Sequence, residues 1–279
     1  MSERIIKGLP PSFHQSFPPE RRHLASLLAA ATRGFAGTAE AISERTAIPT
    51  GKSSGKVVPH LKYLQCMGLL ESANATAGMY KLSPTLLGQV VFVEDPLLQE
   101  PLTQLVLHLM LAQPLGGASV WHMLFGRSRI ALGGRFSSDE AIAFLAQEFG
   151  NSSSIPGPLF TTYRESSSLA ITGMLAGDKN QLTRGYLPYL EEHFWGYAYC
   201  WMHSWEQVAP NDQQIPSAQL EVQTAFADLT AWTHQQFDGF LSWAVDQRIL
   251  RVDRQTGSPL LMKTVSSAEL VSKIYSGIL

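Results

Sequence analysis

Residues 38–82, TAEAISERTAIPTGKSSGKVVPHLKYLQCMGLLESANATAGMYKL, constrain the fold more than any other stretch of this chain. Thr38 is placed to cap a short helix over 39–46, whose Ala39, Ile42 and Ala47 face inward. Pro49, Thr50 and Gly51 make a turn, and a second helix runs to about residue 67. Its apolar residues Val57, Val58, Leu61, Leu64 and Met67 recur at spacings of three and four, so one stripe is buried. Pro59 lacks an amide donor, and the regular part of this helix is expected to begin close to it. Gly68 stops the helix, 69–71 opens a strand, 75–78 turns and 79–82 returns. Helix, turn, helix and a two-stranded flap form the winged helix-turn-helix, which sets a helix into a DNA groove.

Charge divides along the chain in the same way. Residues 1–93 hold ten lysines and arginines against five acids, a net of +5, whereas the remainder holds 11 against 18, a net of −7. Such asymmetry is expected where the N-terminal part meets phosphates and the rest does not. A hydrophobic fraction of 45% with only 16% charged residues excludes a disordered chain and supplies a sizeable core. No apolar segment of signal-peptide length follows the start, and the two cysteines, Cys66 and Cys200, make no disulfide framework. Both features predict a cytoplasmic protein. The longest uncharged run, 101–126, is broken by Gln104, His108, Gln113, Pro114 and Gly116-Gly117, and reads as a buried helix and turn instead of a membrane span.

The fold class expected is mainly α, an N-terminal winged helix-turn-helix followed by a larger helical part. Boundaries are placed at 1–93 (winged domain with its leading helix), 94–150 (helical middle region) and 151–279 (helical C-terminal domain with a terminal hairpin). Segment 12–19 is read as extended, with Phe13 and Phe17 packing on a helix over 20–32 that turns Leu24, Leu27 and Leu28 inward and Arg21 and Arg22 outward. Ser83 is expected to cap a helix through Val91, and Asp95-Pro96 to break it. Pro101 suits a first helical turn, and 118–125 makes another short helix. Ser137 with Glu140, and Ser266 with Glu269, are capping boxes. NSSSIPGP at 151–158 is the linker candidate; helices are expected over 163–175, 187–206, 218–233 and 237–247, and a hairpin over 249–264. Helix, strand, Gly-containing turn and strand occur at 56–82 and again at 237–264, a faint echo that leaves open a second, degenerate winged helix at the C-terminus.

The candidate DNA-contacting residues are Lys52, Ser53, Ser54, Lys56, His60 and Lys62 at the N-terminal half of the second helix, with Asn74 and Thr76 on the wing. Hydroxyls and amides at a helix N-terminus bind phosphate, and lysines add salt-dependent attraction. No arginine or asparagine stands where it would make a bidentate base contact, so backbone or shape recognition is expected. The GKS at 51–53 is not a phosphate-binding loop, because the motif's first glycine would fall at Thr46 and no buried strand precedes it. The aromatic run FWGYAYCWMHSW at 194–205 has no interleaved cations and reads as core. His193, Cys200 and His203 lack a fourth ligand of suitable spacing, so no metal site is expected. No catalytic motif or cofactor fingerprint is found, and the chain reads as non-catalytic with no cofactor.

The stretches FHQSFPPE (13–20), IPTGKSSGKVVPHLKYLQCMGLLE (48–71) and EDPLLQEPLTQLVLHLMLA (94–112) resemble the bacterial domain-of-unknown-function family 4007, in order across about the first 125 residues. That resemblance implies an association with phage-defence or DNA-phosphorothioation genes, including a reductase-like sulfurtransferase. It carries over no catalytic residue; the matching positions 49–57 become candidates for DNA or partner contact, and Glu94, Asp95, Glu100 and Pro101 read as helix caps and turn formers. The function expected is a DNA-binding accessory subunit of a modification or defence system, with duplex DNA and an operon-encoded enzyme as partners. A transcriptional regulator of its own operon, and a scaffold without DNA binding, are the alternatives.

Overall fold

The structure, a computed structural model, describes residues 9–51, 55–71, 76–150, 156–254 and 259–278. At the N-terminus the chain turns where an extended segment was expected. Phe13 N–H donates to Pro10 O and Phe17 N–H to His14 O, both at 2.9 Å, and Gln15 and Ser16 take positive φ of 47° and 72°. This places Phe13 edge-on to Tyr63 at 4.9 Å and beside Trp121 at 6.1 Å. That helix, α1 (Arg21–Thr32), buries Leu24, Leu27 and Leu28 completely. Arg21 does not face outward as expected. Its guanidinium donates to Leu98 O and Ser166 O, which satisfies two loop carbonyls.

After α1 come β1 (Ala36–Gly37), α2 (Ala39–Thr46), α3 (Val57–Cys66) and β2 (Tyr80–Lys81). Thr38 caps α2 as the sequence predicts, its Oγ1 accepting from Ala41 N–H at 3.3 Å. Gly68 ends the α3 segment at φ +70°, a left-handed turn that favours glycine. β1 pairs antiparallel with β2, Ala36 opposite Lys81, and a bridge from Leu70 to Pro84 adds the returning flap. The whole order is compatible with a winged helix-turn-helix. α4 (Leu86–Glu94) is capped two residues later than expected, by Thr85, whose Oγ1 accepts from Gly88 N–H at 2.9 Å.

α5 (Pro101–Leu111) is buried at every position from Leu102 to Leu111, in line with its apolar sequence. α6 (Ser119–His122) is shorter than expected because the chain opens into a π-helical turn, Met123–Arg127, before α7 (Arg129–Leu132). β3 (Arg135–Phe136) and α8 (Ser138–Phe149) follow, α8 with its Ser137–Glu140 capping box in place. Of the expected linker, 151–155 lies outside the described residues, and 156–158 already belongs to α9 (Pro156–Arg164). No helix continues over 163–175. α9 ends at Arg164, a short 3-10 turn closes at Gly173, and β4 (Leu175–Gly177) and β5 (Leu182–Arg184) complete a sheet of order β3-β5-β4. The buried Arg184 holds this sheet to the π-helical turn by donating to Leu124 O and Ser128 Oγ, each at 2.7 Å.

α10 (Phe194–Val208) starts seven residues later than expected, after Pro188 and a 3-10 turn. Its Tyr197, Trp201 and Trp205 are fully buried, so the aromatic run is core. β6 (Gln214–Pro216), which sequence periodicity missed, precedes α11 (Ser217–Thr224) and α12 (Phe226–Thr230); the single helix expected over 218–233 is broken at Ala225, φ +53°. α13 (His234–Asp246), β7 (Leu250–Asp253), β8 (Leu260–Lys263) and α14 (Ser267–Leu270) close the chain, with a sheet of order β6-β8-β7. One contiguous hydrophobic cluster runs from Leu24 to Tyr275 across the boundaries expected at 93 and 150.

Four buried histidines are held neutral. Burial pushes the imidazoles of His14, His60 and His122 down to about 4 and that of His108 to about 3. The unfolded chain takes up these protons below about 6.5 and the folded chain does not, so stability is full above that value and falls as pH drops toward 4. Each histidine should cost about 1.4 kcal/mol per pH unit in that window. Urea unfolding between pH 7.5 and 4.5 should show the loss, with a shallower slope for His108→Gln; a flat profile would count against neutral burial.

Candidate nucleic-acid interface

Helix α3 is buried on more sides than a groove-reading helix tolerates. Val57, Pro59, His60, Leu61, Tyr63, Leu64 and Cys66 are buried, which leaves Val58, Lys62 and Gln65 as its half-exposed row. Val58 therefore belongs to the outer row and not to the inward stripe in which the sequence placed it. The helix is regular from Val57, with Pro59 in the first turn where proline's missing donor costs nothing.

Of the predicted contact residues, Lys52, Ser53, Ser54 and Asn74 lie outside the described residues. His60 is a correction. It is fully buried, its Nε2 accepts from Glu20 N–H at 3.1 Å, and its Nδ1 is 2.6 Å from Lys56 O, which sets it as the donor there. A neutral imidazole with both nitrogens engaged ties α3 to α1 and offers nothing to a phosphate. Lys56 is also engaged: its Nζ pairs with the Glu20 carboxylate and sits 5.6 Å from the Phe17 ring centroid, with 27% of its side chain exposed. Lys62 is half-buried, and burial holds its ammonium below the usual lysine value. Thr76 is exposed on the wing, bridged to Met79 across a turn in which Ala77 and Gly78 both take positive φ.

Glu20 collects the charges. Besides Lys56, its carboxylate contacts Arg22 at 3.2 Å and His23 at 3.4 Å. Burial works to raise its pKa, but the hydrogen bond from Lys56, with the Lys56 charge and the neighbouring imidazoles, outweighs it and holds the carboxyl below its ordinary value. Three cations of the N-terminal part that the sequence analysis did not single out are exposed and have no ion pair among the described residues, Arg33 after α1, Arg45 at the end of α2 and Lys81 on β2, and the last two flank the turn and the flap. Both were visible as basic residues flanking the turn and the wing; what could not be seen was that Lys56 is neutralised and they are not. The turn between α2 and α3 is held by Ser43 Oγ donating to Ile48 O at 2.6 Å and by Lys56 N–H donating to Pro49 O at 2.9 Å. Gly55 is required there, since a Cβ would lie 2.3 Å from Thr50 Oγ1.

No group of three or more histidines, cysteines or acids among the described residues could hold a metal ion. Burial pushes the Cys66 thiol up to about 12 and raises that of Cys200 further, so neither is a nucleophile at neutral pH. No helix among the described residues is long and apolar enough to cross a membrane.

Two solved structures share this architecture along nearly the whole chain. The crystal structure of SspB matches with a TM-score of 0.72 at 14% identity, covering 98% of this chain and 90% of that one. The magnesium-bound crystal structure of SspB matches with a TM-score of 0.70 at 15% identity, with the same coverage of 98% and 90%. The fold is that of SspB. No protein-family model matches the chain, and no curated protein matches it.

The Glu20–Lys56 pair should be measurable as a stabilising contact between α1 and α3. A double-mutant cycle of Glu20→Gln and Lys56→Met, followed by urea unfolding at pH 7, should give a coupling of about 1 to 3 kcal/mol. Because the folded carboxyl lies low, this coupling is full above the unfolded carboxylate value and disappears as pH falls through the folded one. Coupling near zero at pH 7 would mean that Lys56 is free for other partners.

Proposed function

We propose that this chain is a non-catalytic, DNA-binding accessory subunit of a bacterial DNA-modification or phage-defence system, working in the cytoplasm to position a partner enzyme on DNA. The observation that carries the reading is an element order compatible with a winged helix-turn-helix on the basic N-terminal part, within a fold shared with SspB along nearly the whole chain. Membership of the 4007 family, suggested by the stretches 13–20, 48–71 and 94–112, points the same way and names DNA phosphorothioation as the setting.

The geometry refines how DNA would be held. With most of α3 buried, its open face is reduced to the half-exposed Val58, Lys62 and Gln65. Contact then falls to the turn before α3, to Arg45 beside it, and to the wing with Thr76 and Lys81. Such contacts go to phosphates, which fix position without reading sequence. The partner enzyme would dock elsewhere. Leu86, Val93 and Leu97 are exposed by 54%, 75% and 59% and line one side of α4 and its following turn, bordered by Glu94 and Glu100. This stripe also favours the second reading, a scaffold that binds protein alone.

Duplex binding at two or more salt concentrations separates the readings. Replacing Arg45, Lys52 and Lys81 by alanine should weaken binding to a random-sequence duplex. The salt dependence should become shallower by about 0.9 log units per log unit of salt for each phosphate that the variant no longer neutralises. A wild-type protein with no salt-dependent duplex affinity would move the function to the scaffold.

A further inference from the structure

The C-terminal sheet and its helices repeat the plan of the N-terminal winged unit. In the first, α1 leads into the short strand β1, then α2 and α3, then a flap whose last strand, β2, returns to pair with β1. In the second, α10 leads into the short strand β6, then α11 and α13 with α12 inserted between them, then the hairpin β7–β8, whose last strand returns to pair with β6. The echo noticed in the sequence is therefore a full topological repeat, and the strand β6 supplies the part the sequence did not reveal.

Charge on this second unit runs against its surroundings. The part of the chain beyond residue 93 is acidic overall, yet Arg248, Arg251 and Arg254 occur at every third position along the hairpin's first arm, and all three are exposed. Arg248 follows α13 in a left-handed turn at φ +59°. Register places Arg251 opposite Met262, and Met262 opposite Gln214, on the solvent side of the sheet; Leu250, Val252, Ile215 and Leu261 take the other side. Arg254 lies beyond the end of β7 and borders the groove between the hairpin and α13 together with Val245, Asp246 and Val252. By contrast Lys263 is drawn inward, 5.1 Å from the Trp205 ring. The exposed face of α13 carries Asp238, Ser242 and Asp246, and its two carboxylates repel phosphate. Asp253, the one acid among the described residues of the hairpin arms, has an interaction of its own.

We infer that the hairpin β7–β8 is a second duplex-DNA contact, made through Arg248, Arg251 and Arg254 to the phosphate backbone, with α13 kept out of the groove. The contact is wing-led and sequence-independent, since phosphate contacts carry no base information. Two such contacts on one chain act as a bivalent clamp, in which each raises the effective concentration of the other. The inference shares with the proposed function only the class of ligand; it places the contact on a different surface.

The experiment is fluorescence anisotropy of the full chain with a random-sequence duplex across a salt series. Arg251→Ala with Arg254→Ala should weaken binding and flatten the salt slope by about 2, roughly 0.9 per phosphate contact, while Arg251→Lys with Arg254→Lys keeps the slope. Both side chains are exposed, so thermal unfolding should match wild type and exclude misfolding as the cause. An unchanged slope in the alanine pair overturns the inference, as does loss of a co-expressed partner protein without any change in DNA binding. The N-terminal triple variant separates the two assignments. If only that variant alters the slope, the proposed function stands and the second contact fails. If only the arginine pair alters it, the second contact stands and the N-terminal surface fails.

Discussion

The Glu20 carboxylate is the point on which the N-terminal architecture turns. It stands at the first residue before α1, accepts from Lys56 at the mouth of α3, and faces Arg22 and His23 on its own helix. Its backbone N–H, one of the unpaired donors that every helix start must satisfy, is taken by His60. The next residue, Arg21, donates to the carbonyls of Leu98 and Ser166, while its N–H meets Ser167 O at 2.8 Å. Two neighbouring residues thus fix α1 against α3, the loop before α5 and the segment after α9. Removing the charge would leave a lysine and a histidine facing one another in a largely dry site, which is a steeper penalty than the loss of one surface ion pair.

That network determines which cations remain available. Counted as the sequence shows them, the basic residues Arg21, Arg45, Lys56, Lys62 and Lys81 of the N-terminal part look equally free. In the fold Arg21 is spent on carbonyls and Lys56 on Glu20, while Arg45 and Lys81 stay exposed. The net charge of a segment therefore overstates its reach toward phosphate, because ion pairs formed with acids 36 residues away subtract from it. The C-terminal part shows the opposite case, an acidic segment whose arginines line one hairpin arm.

Elements whose signals are local were legible in the sequence. The capping boxes at Ser137 and Ser266 and the Thr38 cap depend on residues three apart, the Pro101 start on one residue, and the terminal hairpin on two short apolar arms around a Gly-containing turn. Elements set by distant contacts were not. Ala225 takes φ +53° although nothing in its neighbourhood calls for a helix break, and β4 and β5 are three-residue strands stabilised by pairing and by Arg184 instead of by alternation. β6 ends in a proline, which argues against a strand unless it lies at an edge, as this one does. At the candidate site the order of helices and strands was legible and is compatible with the winged reading, whereas the burial of His60 and the capture of Lys56 were not legible, since both depend on α1 arriving alongside α3.

The burial of α3 has a consequence for what kind of recognition this fold permits. A helix that reads bases must leave one face free to enter the major groove, and its side chains must carry paired donors or acceptors. Here that face is reduced to Val58, Lys62 and Gln65, because Tyr63 and Phe13 pack against Trp121 on the far side and His60 is tied to α1. Shielding α3 in this way gains rigidity: the N-terminal helices are joined to the middle of the chain through a buried aromatic contact instead of a linker. A unit fixed so firmly cannot search independently for a site. Its arrangement relative to the C-terminal sheet and helices is built in by the shared core, so a duplex that met both proposed surfaces would have to fit the spacing the protein already has.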